Sequence, residues 1–375
     1  MRVARWIPVA MMLVVAGCAA PTSSPPPPPP PPPSPSPGFP ETVGGDEPEH
    51  AVVRVLFATD RNRTGATHPT AMFGGKRSTL TYGTCDVSIP RDHRMGELES
   101  PSIWRFEFSE DPEKHVVLLA VDLQGRQQFL DALEARSRLA GKRSSFVFVH
   151  GYNVSFEDAA RRTAQISYDL GFPGVPMFYS WPSQASTALY LEDEANIEWA
   201  ERNLKSFLGD VLARSGDGEV VLIAHSMGNR ALTRVVATLA GESPALRSRI
   251  KEIILTAPDI DADVFRDTLA PALIATRRPV TLYASSDDLA LVASKKAHGY
   301  GRAGDSGAGL IVLPGMETVD ATGVDTGLLG HSYFGDSRTV LSDMFYLLRE
   351  GKRAAQRAGL KPVDGSNGRH WKIAP

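Results

Sequence analysis

The sequence predicts an α/β fold with a mostly parallel, doubly wound sheet and an antiparallel edge formed by its N-terminal strands. From about residue 146 onward, short apolar runs alternate with segments whose apolar residues recur at helical spacing, which is typical of parallel strands and crossover helices. Before that point, several strand-like runs follow one another with no helix between them, which indicates antiparallel pairing. After its first 50 residues the chain is long enough for one large domain.

The first 17 residues are predicted to be a signal peptide. Arg2 and Arg5 precede an apolar stretch at residues 7–15 that is too short to span a bilayer comfortably. The next residues, Val15-Ala16-Gly17-Cys18, resemble the lipobox of bacterial lipoproteins. This resemblance implies cleavage before Cys18, lipidation of that cysteine and a lipid anchor in the bacterial cell envelope, facing the periplasm from the outer membrane if the cell has two membranes. An ordinary secretory signal or an uncleaved anchor is the alternative.

Residues 18–50 are predicted to be a Pro-rich linker. Its unbroken prolines at residues 25–33 favour polyproline II, a semi-rigid spacer that cannot build a core. The folded domain is predicted at residues 51–350, and residues 351–375 are expected to be a polar tail that frays. The second of the two cysteines, Cys85, falls in a predicted strand and is expected to be a small buried residue rather than a reactive thiol.

Charge and composition narrow the classes of partner. The formal net charge is −3, and no basic cluster is combined with stacking aromatic residues, which argues against nucleic acid as a partner. No metal or other cofactor is expected, because no group of His, Cys and Glu residues has the spacing of metal ligands.

Apolar periodicity and turn residues predict the elements in chain order. The N-terminal strands are predicted at residues 52–59, 82–89, 103–108 and 115–121, with a Gly-rich loop at residues 64–76. The later strands are predicted at residues 146–149, 175–180, 220–224, 250–256, 280–284 and 310–313. Helices are predicted at residues 127–139, 156–170, 192–213, 228–239 and 332–349.

Ser226 lies at the junction between a predicted buried strand and a predicted amphipathic helix. A serine at such a sharp strand-to-helix turn is the nucleophile elbow of the α/β-hydrolase fold. The small residues Ala224 and Gly228, two before and two after the serine, allow the strand and the helix to approach closely. The pattern is a near match to the usual Gly-x-Ser-x-Gly. The alternative is a serine that simply caps a helix.

The strand at residues 146–149 is followed by His150-Gly151-Tyr152-Asn153. In a hydrolase of this fold the loop at this place supplies one N–H group of the oxyanion hole, and the residue after the nucleophile supplies the other. We therefore predict the backbone amides of Tyr152 and Met227 as the two donors. A plain turn at the end of a strand is the alternative for the His-Gly pair.

The histidine and the acid of the predicted triad follow from chain order, which runs serine, acid, histidine in this fold. Of the three histidines late enough in the chain, His331 stands between the last predicted strand and the last helix, where a catalytic histidine belongs. His298 follows the acid too closely, and His370 lies in the predicted tail.

For the acid, Asp288 follows the strand at residues 280–284 and precedes an apolar turn, so it is favoured over the adjacent Asp287. Asp259 or Asp261, one strand earlier, is the other choice, although carboxylates there also suit a helix N-terminus.

The chain resembles a bacterial group of α/β-hydrolases in the esterase/lipase superfamily that is catalogued as a domain of unknown function. The resemblance covers residues 52–350 and rests on six segments: Phe57-Ala58-Thr59-Asp60-Arg61, Val149-His150-Gly151-Tyr152-Asn153, Tyr179-Ser180-Trp181-Pro182-Ser183, Ala224-His225-Ser226-Met227-Gly228-Asn229, Ala257-Pro258-Asp259-Ile260-Asp261 and Gly330-His331-Ser332-Tyr333. It implies ester chemistry but no particular substrate.

Together these features predict a serine hydrolase of the carboxylesterase or lipase kind, which cleaves a small-molecule or lipid ester by a Ser-His-Asp acyl-enzyme mechanism. An envelope-anchored binding or structural module on an inactive hydrolase scaffold is the alternative, because a fold does not guarantee a function.

Overall fold

The computed structural model describes residues 49–102, 107–139, 145–215, 219–324 and 338–374. The predicted signal peptide with nearly all of the linker, including Cys18, and the predicted catalytic residue His331 lie outside the described residues. Among the helices that are described, none is both long enough and apolar enough to cross a bilayer.

The described strands form a single sheet. In chain order they are β1 (His50–Arg63), β2 (Phe73–Pro90), β3 (Leu118–Gln124), β4 (Ser145–Val149), β5 (Pro176–Ser180), β6 (Val220–His225), β7 (Ile250–Thr256), β8 (Val280–Ala284), β9 (Glu317–Asp320), β10 (Leu360–Gly365) and β11 (Gly368–Ile373). Their spatial order is β10-β11-β9-β8-β7-β6-β4-β5-β1-β2-β3.

The centre of the sheet is parallel and its N-terminal edge is antiparallel, which confirms the predicted fold class. Every neighbouring pair from β1 through β5, β4, β6, β7 and β8 to β9 is parallel. β2 pairs antiparallel with both β1 and β3. Strands β4 to β8 are buried along nearly their whole length, because parallel strands are covered by helices on both faces.

Helices cover both faces of the sheet. They are α1 (Arg126–Leu139), α2 (Phe156–Asp169), α3 (Tyr190–Arg214), α4 (Gly228–Glu242), α5 (Pro244–Ser248), α6 (Ala262–Val264), α7 (Ala270–Ala275), α8 (Leu289–His298) and α9 (Arg338–Glu350). One buried apolar cluster joins the sheet to α1, α3, α4 and α7, and the other joins it to α2 and α9. The capping box of Ser155 and Asp158 fixes the start of α2 close to the site described below.

One predicted strand and part of one predicted loop are wrong. The run at residues 310–313 is not a strand, although Leu310 and Ile311 are buried. The strand that pairs with β8 at this side of the sheet is β9, whose residue Thr318 donates a side-chain hydrogen bond of 2.8 Å to the Ile311 carbonyl oxygen. The Gly-rich segment at residues 64–76 is only partly a loop, because β2 already begins at Phe73. Glycine disfavours strands, and the pairing of Phe73 with Arg63 in β1 outweighs that preference.

The expectation of a frayed tail after residue 350 is also wrong. β10 and β11 form an antiparallel hairpin, and β11 pairs in parallel with β9, so the sheet continues nearly to the end of the chain. Arg357, just before the hairpin, is buried and pairs with Asp343 at 2.8 Å and with Glu317 at 3.1 Å. These buried charges fix a segment whose polar composition alone suggested a solvated tail.

Candidate active site

The backbone at Ser226 is strained. The residue has a φ of 50° immediately after β6, a left-handed conformation that non-glycine residues adopt rarely and at a cost of about 1–3 kcal/mol. Its N–H donates to the Thr256 carbonyl oxygen at 3.0 Å, and its own carbonyl oxygen accepts from the Asn229 N–H at 3.1 Å. Hydrogen bonds to the next strand and to α4 therefore hold the turn in this conformation, which is the geometry of a nucleophile elbow.

Gly228 allows α4 to begin directly against the end of β4. A Cβ atom at this position would lie 2.7 Å from the Val149 carbonyl oxygen and closer still to that of His150. No backbone oxygen can retreat enough to admit a side chain there without moving the strand. The other small residue of the motif, Ala224, is fully buried in β6, so its methyl group is accommodated.

The loop after β4 lies against Ser226. A Cβ atom on Gly151 would lie 2.9 Å from Ser226 Cβ and 3.0 Å from His225 Nδ1, so only glycine fits. Met227 is the residue just before α4, with no side chain capping the helix. Tyr152 is half-buried, and its ring lies 5.3 Å from that of Tyr190 at the start of α3. The oxyanion roles of the Tyr152 and Met227 amides remain a prediction.

Asp288 lies directly ahead of α8, four residues after the end of β8, and its side chain is fully buried. Its Oδ1 accepts a hydrogen bond of 3.0 Å from the Leu291 N–H, so one oxygen caps the start of α8. The neighbouring Asp287 is exposed, and its Oδ2 accepts from the Gly323 N–H at 2.8 Å. The two adjacent carboxylates therefore occupy different environments, and only Asp288 is withdrawn from water.

Asp259 is engaged in a buried network of its own. Its carboxylate accepts from Ser294 Oγ at 2.7 Å and from the Tyr190 hydroxyl, and it forms ion pairs with Arg230 and Arg302, each at 3.3 Å. Burial alone would raise the pKa of Asp259, but Arg230 and these hydrogen bonds lower it below its usual value.

Asp261 has a separate role at the surface. Its Oδ1 accepts from the backbone N–H groups of Asp263 and Val264, at 3.0 and 3.1 Å, and so caps α6. This is the helix-start role that the sequence analysis held open for the two aspartates of this segment.

The two late histidines within the described residues lie on α8 and on β11. His298 belongs to α8, where its Nε2 lies 2.9 Å from Glu194 and its Nδ1 lies 2.8 Å from the Ser294 carbonyl oxygen. His370 lies in β11, opposite Val363. The predicted base, His331, is outside the described residues, so its assignment remains a prediction.

Sequence reasoning missed a buried polar group behind the loop after β4. Arg61 at the end of β1, Ser180 at the end of β5 and His150 lie within hydrogen-bonding distance of one another. All three belong to segments on which the family resemblance rests. That resemblance is the signal from which this group could have been predicted. Trp181, in the same segment as Ser180, is fully buried and stacks on His150 with ring centroids 5.0 Å apart.

Within the described ranges, no group of three or more His, Cys, Asp or Glu side chains is arranged to hold a metal ion. Cys85 is buried in β2, and burial raises the pKa of its thiol, as expected for an unreactive core cysteine.

The sequence and the fold were compared with those of known proteins. A family model described as an α/β-hydrolase of unknown function (DUF900) matches residues 128–349. No curated protein matches the chain. A structure described as a predicted CIB-like hydrolase from Thermoplasma acidophilum is 15% identical with a TM-score of 0.33, over 56% of this chain and 88% of that one. A carboxylesterase from Bacillus subtilis is 10% identical with a TM-score of 0.31, over 60% of this chain and 98% of that one.

Proposed function

We propose that this chain, which belongs to the α/β-hydrolase family of unknown function named above, is a serine hydrolase that cleaves an ester through an acyl-enzyme. The observation that carries this proposal is the left-handed Ser226, which lies at the end of the buried parallel strand β6 and against Gly151 of the loop after β4. A left-handed serine costs stability, and strained residues of this kind cluster at reacting sites, so its conformation supports a role as the nucleophile.

In the proposed reaction, Ser226 Oγ attacks the acyl carbon while His331 accepts its proton. The tetrahedral oxyanion is stabilised by the backbone N–H groups of Tyr152 and Met227. His331 then protonates the departing alcohol, and a water molecule, activated by the same histidine, releases the acid product.

Asp288 orients the imidazole and stabilises its charged form. In favour of Asp288 are its complete burial and its place after β8, whereas the Asp259 oxygens are already bound by arginine, tyrosine and serine. Asp261 caps α6 as Asp288 caps α8, but Asp261 is only half-buried.

The proposed location is the bacterial cell envelope, where a lipid on Cys18 anchors the protein. The Pro-rich segment connects this anchor to the hydrolase domain. Support comes from the lipobox-like sequence before Cys18. Small-molecule and lipid esters both fit this setting.

A fluorophosphonate probe tests the nucleophile. Folded wild-type protein is expected to be labelled at Ser226 and to hydrolyse p-nitrophenyl esters, and Ser226→Ala is expected to lose both properties while keeping its melting temperature. Ser248→Ala is a matched control, because Ser248 is exposed and bonds only its own helix turn. A folded wild-type protein that neither labels nor hydrolyses any ester of a chain-length series would favour the alternative, a binding module on an inactive scaffold.

A further inference from the structure

We propose that Arg61, Ser180 and His150 form a directed chain of hydrogen bonds that fixes the Gly151–Tyr152 peptide for oxyanion binding. In this assignment Arg61 and His150 are positioning residues for the hydrolytic reaction, acting through the backbone of the loop after β4. The inference rests on the proposed function, and it adds a part of the site that lies behind the reacting groups.

The donor and acceptor at the loop end of this hydrogen-bond chain can be assigned from the contact between His150 and Gly151. His150 Nδ1 lies 2.7 Å from the Gly151 carbonyl oxygen. A carbonyl oxygen can only accept, so Nδ1 must carry the proton of the neutral ring. His150 Nε2 is then the unprotonated nitrogen and requires a donor.

The donors are present on the other side of the ring. Ser180 Oγ lies 3.2 Å from His150 Nε2 and accepts a hydrogen bond of 2.8 Å from Arg61 Nε. Because the guanidinium can only donate, the single proton of the Ser180 hydroxyl is left to point at Nε2. Arg61 Nη2, at 3.5 Å from Nε2, acts in the same direction. Every link therefore favours the Nδ1–H tautomer.

Arg61 is itself held rigidly. Its remaining N–H groups donate to three carbonyl oxygens, those of Ser183 at 2.8 Å, Val154 at 2.6 Å and Gly74 at 3.3 Å. The side chain is almost completely buried and so joins β2, the segment after β5 and the loop after β4. Five donors with five acceptors leave the guanidinium no freedom to turn.

The His150 ring is clamped and stays neutral. It stacks on the Trp181 indole at an interplanar angle of 13°, and the indole N–H donates to the His150 carbonyl oxygen at 2.8 Å. Burial, and after it the positive charge of Arg61, hold the pKa of His150 well below its usual range. The ring therefore does not take up a second proton at neutral pH, and its tautomer is constant.

The consequence for the loop follows from peptide geometry. The C=O and N–H of a trans peptide point in opposite directions, and no cis peptide occurs among the described residues. The Gly151 carbonyl is held by His150, so the Tyr152 N–H is turned away from His150. Gly151 is packed against Ser226 Cβ. A flipped peptide would instead present a carbonyl oxygen to the reacting centre and would repel a developing oxyanion.

Two substitutions of His150 test the proposed hydrogen-bond chain. His150→Phe keeps a flat ring against Trp181 but removes the donor, whereas His150→Asn places an amide N–H near the position of Nδ1. Loss of one oxyanion donor costs about 100- to 1000-fold in kcat, so a mispositioned donor in His150→Phe is expected to cost roughly 10- to 100-fold, with KM changed less than about threefold. His150→Asn should recover a clear part of this loss. Arg61→Met should resemble His150→Phe, and Arg54→Met, in the same strand but half-exposed, is the matched control.

Histidine ¹⁵N NMR on wild-type protein examines the chain without relying on activity or on the folding of variants. His150 is expected to show the Nδ1–H tautomer, unchanged between about pH 5 and pH 8. An Nε2–H tautomer, or a ring that titrates in this range, would overturn the proposal. The proposal would also be overturned if fluorophosphonate labelled the wild type and the His150→Phe variant equally fast. If the wild type is not labelled at all, the proposed function fails, and the positioning role fails with it.

Discussion

The backbone N–H of Asp259 donates a hydrogen bond of 3.2 Å to the carbonyl oxygen of Ser226. The loop after β7 therefore supports the strained elbow through its main chain, while the Asp259 carboxylate turns to Arg230, Arg302, Tyr190 and Ser294. Asp259 therefore contacts Ser226 through its backbone while its carboxylate binds other side chains. Closeness to Ser226 alone does not identify the acid of the proposed reaction.

The first prediction separates Asp288 from Asp259. Asp288→Asn keeps an oxygen to cap α8 but cannot stabilise a charged imidazole, so kcat is expected to fall by up to roughly 10,000-fold with little loss of stability. Asp259→Asn leaves the buried Arg302 without its counter-charge, although Arg230 keeps its ion pair with Glu194. It should lower the free energy of unfolding by about 3–5 kcal/mol, more than a helix-start carboxylate would. Steady-state kinetics and urea unfolding of both variants distinguish the catalytic acid from the structural aspartate. A stable Asp259→Asn protein with the larger loss of kcat would reverse the assignment.

A second prediction concerns pH and a buried histidine remote from the elbow. His93 lies between two carboxylates, with Nδ1 2.8 Å from Glu99 and Nε2 2.7 Å from Asp169. Burial lowers the pKa of His93, but the hydrogen bonds to Asp169 and Glu99 outweigh this and raise it to about 9. A group with a raised pKa stabilises the fold fully below its unfolded pKa, near 6.5, and this stabilisation is lost as pH rises through about 9.

The free energy of unfolding should therefore fall between pH 6.5 and pH 9, by at most about 3 kcal/mol from this group. Urea titrations across that range are expected to show a shallower decline for His93→Gln than for the wild type. His68→Gln, at an exposed position, is the control and should follow the wild type. If His93→Gln declines as steeply as the wild type, the ion pairs do not carry the dependence.

The third prediction concerns the C-terminal hairpin. Removing residues 360–375 takes away β10 and β11 and exposes the edge of β9. A bare strand edge pairs readily with other chains, so the truncated protein should melt at a lower temperature and aggregate. Light scattering during thermal unfolding measures both effects. Asp364→Asn, which breaks only a surface ion pair with Arg369 within the hairpin, should melt like the wild type. A truncated protein as stable and monomeric as the full chain would contradict the prediction.

The fourth prediction concerns the proposed lipid anchor, which lies outside the described residues. Cys18→Ser removes the only thiol that the lipobox-like segment offers, so the variant should not incorporate a palmitate analogue and should leave the membrane fraction. Attachment through acyl chains gains about 0.8 kcal/mol per buried CH₂, so the difference in fractionation should be large. Equal labelling of Cys18→Ser and wild type would exclude lipidation at this residue.

The sequence allowed the centre of the sheet and the elbow to be predicted, because both depend on short-range patterns. Residues 220–224 form an unbroken apolar run, and Gly228 follows the serine at a fixed distance. The hairpin of β10 and β11 was missed because its strands are largely exposed and polar, and because their place at the sheet edge is set by a distant partner, β9.

The Arg61 group was missed for a related reason. Its contacts with Ser180 and His150 join residues separated by 119 and 89 positions. No local periodicity reports such contacts, and a lone arginine at a strand end is normally read as solvated.

The position of β1 determines which strand pairing bears a force applied through the linker. It starts at His50, directly after the linker, and runs parallel to β5, so its first residue lies at the amino end of the parallel strands. Ser226, Gly151 and Asp288 all follow the carboxyl ends of their strands. Tension applied ahead of His50 therefore shears β1 along its long ladder with β2, from His50 opposite Pro90 to Arg63 opposite Phe73. These candidate active-site residues lie at the opposite end of the parallel strands from His50, where the load enters the sheet.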